Sequence, residues 1–126
     1  MYRTILHQII GYLYEREKEG VPGTIFFHCF GGADRTGTVA FLVEALLGVS
    51  ESDMSKDYEL TTYSSSRVGD RLRTDTGSRP YKLMIEYLRN NFPGSDMQEI
   101  VTNWATTGSN ALSYEEIDLL KDLMLE

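Results

Sequence analysis

Thr24-Ile25-Phe26-Phe27-His28-Cys29-Phe30-Gly31-Gly32-Ala33-Asp34-Arg35-Thr36-Gly37-Thr38 is the stretch on which the reading of this 126-residue chain turns. Ile25, Phe26 and Phe27 are β-branched or aromatic and lie between the turn residues Pro22-Gly23 and a glycine pair, the pattern of a short buried strand. Thr36 to Leu47 has helical character, so Cys29 to Arg35 is expected to form a strand-to-helix turn. Such a turn aims backbone N–H groups and the positive end of a helix dipole at whatever sits above it, a setting suited to an anion. Cys29, the only cysteine, is expected there as a thiolate near neutral pH. Arg35 adds a planar fork of donors able to hold two oxygens of one phosphate.

Outward from this stretch the chain reads as helices. Ile5, Leu6, Ile9, Ile10 and Leu13 recur at helical spacing within residues 1–19, with Gly20 as the stop. The mixed-sign run Glu15 to Glu19 reads as a solvated helix end, and His7 as a packed or half-exposed side chain rather than a ligand. The helix from Thr36 is apolar almost all round, which predicts a central, buried position. Gly48 ends it, and Ser50 with Asp53 forms a capping pattern for a polar helix running to about Ser64. Residues 64–79 carry serines, glycines and Arg67, Arg71, Arg73 and Arg79 without apolar period and read as a mobile loop. Three further helices are expected over 80–92, 95–106 and 113–125, with Ser95 and Ser113 as N-caps and Trp104 in the core.

Composition narrows the functional classes. The length fits one domain, and 41% hydrophobic residues suffice for a core. Nineteen acidic against twelve basic residues give a net charge of −7, which argues against nucleic acid or an anionic membrane as the main partner. No apolar run approaches the roughly 20 residues that span a bilayer, and no signal-peptide order is visible, so the compartment is unassigned with the cytoplasm as default. One cysteine and two histidines, His7 and His28, offer no zinc cluster, so neither metal nor cofactor is expected.

His28-Cys29, five intervening residues, then Arg35-Thr36-Gly37 resembles the His-Cys-x5-Arg-Ser/Thr loop of the cysteine-dependent protein tyrosine phosphatases. The Asp34-Arg35-Thr36-Gly37 ending is most similar to bacterial tyrosine or dual-specificity phosphatases whose loop reads His-Cys-x-x-Gly-Lys-Asp-Arg-Thr-Gly. Gly32 matches the loop glycine, and Ala33 stands where such loops often carry lysine. Gly48 to Asp53, Asp57 to Thr61 and Ser113 to Leu120 also look like segments of that family. The resemblance implies an α/β fold, a parallel sheet flanked by helices. Only one strand is legible here, so the chain is expected to be mostly helical with an incomplete sheet. Residues 1–126 then read as a single domain or the C-terminal portion of one, with the missing strands supplied upstream or by a second chain.

The resemblance also implies roles. Cys29 is the nucleophile of a phosphocysteine intermediate, and Arg35 with the backbone of Phe30, Gly31, Gly32, Ala33 and Asp34 binds the phosphate. Thr36 donates to the sulfur, while His28 and Gly37 support the loop. The leaving group needs a proton. Upstream of Cys29 the only acids are Glu15, Glu17 and Glu19, so Asp34 stands as the candidate general acid; its other reading is a loop-shaping partner of a neighbour. The substrate would be a phosphorylated protein or a small phosphate monoester. Two rival classes are a non-catalytic phosphate-binding fragment or pseudophosphatase and, from its own anion-binding cysteine loop, a rhodanese-like sulfurtransferase.

Overall fold

The computed structural model describes residues 1–63 and 79–125, and they form six α-helices. These are α1 (Tyr2–Glu19), α2 (Asp34–Leu47), α3 (Glu51–Glu59), α4 (Arg79–Asn91), α5 (Met97–Ala105) and α6 (Tyr114–Met124), with a 3-10 turn at Leu60–Tyr63. The expected loop over 64–79 lies outside the described residues except for Arg79, which opens α4.

Helix α2 is the hub, packing against each of the other five helices. Its all-round apolar sequence requires this: Phe41, Leu42, Ala45 and Leu46 are buried, the last two with no exposure at all. Burying each of the larger side chains contributes roughly 1.5–3 kcal/mol of transfer free energy. Leu6, Ile9 and Ile10 of α1, Val101 and Trp104 of α5, and Ile117 and Leu120 of α6 complete one continuous core. Trp104 is doubly held, since the Arg3 guanidinium lies 4.6 Å from its ring centroid and donates to its carbonyl oxygen at 2.7 Å. His7 is pinned rather than free, with Nδ1 2.8 Å from Glu116 Oε1.

Helix ends follow the stop and cap residues closely. Gly20 and Gly48 both adopt left-handed backbone (φ 65° and 85°) and return their N–H groups to carbonyls of the last turn. Ser50 caps α3 by accepting from the Asp53 N–H, and Ser113 with Glu116 forms a complete capping box on α6. Three boundaries differ most from expectation: α2 opens at Asp34 rather than Thr36, which takes Asp34 and Arg35 out of the turn, and α3 and α5 differ as well. α3 ends at Glu59 and tightens into the 3-10 turn. Asp96, not Ser95, caps α5, because the Ser95 N–H and hydroxyl both turn to Glu99 Oε2.

The predicted α/β architecture is overturned: no strand or sheet occurs among the described residues. Residues 21–29 run without regular structure, and none of 22–30 makes a backbone ladder with any described residue. Ile25 packs against the helical core, yet Phe26 is 84% exposed and Phe27 37%. β-branched and aromatic residues favour a strand only when a neighbouring strand takes up their N–H and C=O groups. Here the helices close the core by themselves, and no such neighbour is present among the described residues.

One polar pair inside this frame has a measurable consequence. Glu44 of α2 faces Asp57 of α3, and its Oε2 is buried without a hydrogen-bond partner. Desolvation first, then the charge of the nearby Asp57 carboxylate, raise the Glu44 pKa from 4.5 to about 7. The folded state therefore binds this proton more tightly than the unfolded chain. The associated stability is fully present below pH 4.5 and is lost as pH rises through about 7. Water screens a carboxyl that is only partly buried, so the effect is modest. Glu44→Gln should raise the Tm by a few degrees at pH 8, with the gap closing towards pH 4.5 in thermal melts followed by circular dichroism. An unchanged gap across that range would remove the pair from the pH dependence of stability.

Candidate active site

The turn that ends at α2 places Cys29, half-buried, directly before the amino end of the most deeply packed helix. Ala33 is the N-cap residue and is buried, but it offers no side-chain cap. The first N–H groups of α2 are thus left for other acceptors, and the dipole's positive end is uncovered by any capping side chain.

Of these, the Thr36 N–H acts on the Cys29 sulfur. Thr36 Oγ1 donates to Cys29 Sγ at 3.0 Å. The backbone N–H groups of Thr36, Gly32 and Gly31 add to it. The Thr36 hydroxyl is the largest influence and, with those N–H groups, outweighs desolvation, bringing the thiol from 9.0 down to about 7. A thiol so lowered carries substantial thiolate character near neutral pH.

The glycines divide the work unequally. Gly32 has φ +71°, a conformation other side chains adopt at a cost, and it is Gly32 rather than Gly31 that turns the chain. Gly37 donates its N–H to the Ala33 carbonyl at 2.9 Å. Its lack of a side chain is a packing requirement: a Cβ there would lie 2.7 Å from Cε2 of Tyr58.

Arg35 is exposed and has no ion-pair partner among the described residues, so its guanidinium is not neutralised by the acidic surface. Phe30 is fully exposed beside Cys29. His28 is exposed, with Nδ1 3.4 Å from the Cys29 carbonyl oxygen and its ring stacked on Phe26 at 5.6 Å. Asp34, the first residue of α2, accepts a hydrogen bond from the Tyr58 hydroxyl at 2.9 Å, while its carbonyl accepts from Thr38 Oγ1 at 2.8 Å. A cleft of about 250 Å³ opens alongside, between Phe27, Gly32, Thr36, Asp57 and Tyr58.

The structure thus gathers Cys29, Gly31, Gly32 and Thr36 around one sulfur atom, with Asp34 and Arg35 on the same first turn of α2. Tyr58 is the residue that sequence reasoning missed. It lies 24 positions beyond Asp34 on another helix, and no local pattern announces the contact. Among the described residues there is no group of three His, Cys, Asp or Glu side chains that could hold a metal ion, and no helix is long and apolar enough to cross a membrane.

A family model described as the tyrosine phosphatase family matches residues 1–119. No curated protein and no solved structure matches the chain.

The sulfur cradle has a direct readout. Alkylation of Cys29 by iodoacetamide should rise with pH through an inflection near 7, and Thr36→Ala should move it towards 9.0 and slow alkylation at pH 7 by on the order of tenfold. An inflection unchanged in Thr36→Ala would show that the hydroxyl does not stabilise the thiolate.

Proposed function

The chain belongs to the tyrosine phosphatase family, and we propose that it hydrolyses phosphate monoesters, of phosphotyrosine or dual-specificity type, through a phosphocysteine intermediate on Cys29. Family membership supports phosphatase action on phosphate esters in general. The observation that carries the finer reading is the lowered Cys29 thiol under the Thr36 hydroxyl, in the same turn as an unneutralised arginine.

In the first step the Cys29 thiolate attacks phosphorus, the P–O bond to the leaving group breaks, and the leaving oxygen takes a proton from Asp34. Loop N–H groups and the Arg35 fork bear the charge on the equatorial oxygens, where phosphoryl transfer is most sensitive to electrostatics. In the second step water attacks the phosphocysteine, gives its proton to the Asp34 carboxylate, and the P–S bond breaks. The Thr36 hydroxyl, 3.0 Å from sulfur, stabilises the departing thiolate. The Gly31, Gly32 and Thr36 amide groups that favour the thiolate also serve a phosphoryl group once it is bonded there.

Cys29→Ser should lower release of phosphate from p-nitrophenyl phosphate by on the order of a thousandfold while orthovanadate still binds. Residual turnover within tenfold of wild type would end the thiolate mechanism. Binding of vanadate by wild type without any turnover would instead support the phosphate-binding reading, and thiosulfate turnover the sulfurtransferase one. Arg35→Lys keeps the charge but loses the bidentate fork, and both vanadate affinity and kcat should fall about 10- to 100-fold. Asp34→Asn should lower kcat/KM, which reports the first step alone, by less than roughly threefold on p-nitrophenyl phosphate and by about 100-fold or more on alkyl phosphates, because only poor leaving groups need the proton. An equal loss on every substrate would assign Asp34 to loop geometry.

A further inference from the structure

Tyr58 is 4% exposed, yet its hydroxyl emerges from the core at the carboxylate of Asp34, one residue from Arg35 and two from Thr36. Its ring has little freedom. One face meets Gly37 so closely that a Cβ would approach two ring carbons at 2.7 and 2.9 Å. Another contact is Tyr81 of α4, with ring centroids 5.1 Å apart. Tyr81 is itself held edge-on by Phe41 of the central helix at 5.9 Å and accepts from the buried Ser55 hydroxyl at 3.0 Å. A chain of packed rings thus runs from the core of α2 back to the first residue of the same helix.

We infer that Tyr58 is a positioning residue for Asp34: its core-anchored hydroxyl, donating to Oδ1, restrains the carboxyl rotamer. The inference rests on the phosphoryl-transfer reading above. A fixed rotamer matters because proton transfer requires the donor oxygen within hydrogen-bond reach of the leaving atom, and an error of 1 Å is expensive. It also accounts for a glycine at 37, where the gain is room for the Tyr58 ring rather than backbone freedom.

The test compares wild type, Tyr58→Phe, Asp34→Asn and the double variant on p-nitrophenyl phosphate and on an alkyl phosphate. Tyr58→Phe keeps the ring and its packing. Its vanadate affinity should stay within twofold of wild type, its kcat/KM on p-nitrophenyl phosphate within about threefold, and its kcat/KM on the alkyl phosphate should fall about tenfold or more. The double variant should be no slower than Asp34→Asn, since a positioning residue has nothing left to position. Equal loss on both substrates, or losses that multiply in the double variant, would overturn the inference and make Tyr58 a packing residue. Should Tyr58→Phe fail to bind vanadate, the decision passes to Gly37→Ala, whose Cβ displaces the ring: a loss confined to the alkyl phosphate sustains the inference, and an equal loss overturns it. Failure of the underlying reading is seen separately, as a wild-type protein that releases no phosphate from either substrate.

Discussion

Burial of α2 is the constraint on which the rest depends. A helix apolar on nearly every face must be surrounded, and five helices surround this one. Because its carboxyl end is locked by Gly48 and its middle by Phe41, Leu42, Ala45 and Leu46, its amino end is fixed in space. That end carries Asp34, Arg35 and Thr36, so the rigidity of the core is passed on to the groups around the sulfur. A site on a loop alone would lack this support.

The electrostatics run against the overall charge. The chain is acidic, with a net charge of −7, but several of its acids pair away from the turn: Glu51 with Arg89, Asp53 with Lys56, Glu116 with His7. At the turn itself the uncapped helix end, the loop N–H groups and an arginine with no ion-pair partner among the described residues leave a local surplus of donors. Screening confines the influence of the distant carboxylates to about 10 Å, so the field at the turn is set by these local donors. The raised Glu44 and the lowered Cys29 show both directions of the same physics: burial beside a like charge against exposure to oriented donors.

The exposed aromatic stretch is the other side of the helical solution. Phe26 and Phe30 stand in solvent, and the backbone between Pro22 and Phe30 makes no backbone–backbone hydrogen bond with any described residue. Apolar grooves of about 410 and 390 Å³ flank residues 24–27, one against Leu13 and Val43, the other against Ile5 and Tyr12. In sequence these residues look like a strand; in the fold they are a linker tethered to the core at Ile25.

The sequence by itself determined the helices and the content of the turn. Apolar period, Gly20 and Gly48 as stops, and Ser50 and Ser113 as caps are local signals, and local hydrogen bonds made them good. The contact of Thr36 with Cys29 was legible for the same reason, since a turn spanning seven positions brings the two residues together without help from elsewhere. What only the tertiary structure decided is whatever needs a distant partner. Ile25 to Phe27 have strand character, but a strand exists only through its neighbour. Gly31 and Gly32 are alike in sequence, yet the backbone path gives the positive φ to one of them. Asp34 meets Tyr58, and Glu44 meets Asp57, because α3 folds back along α2, and that return is set by core packing and not by any local pattern.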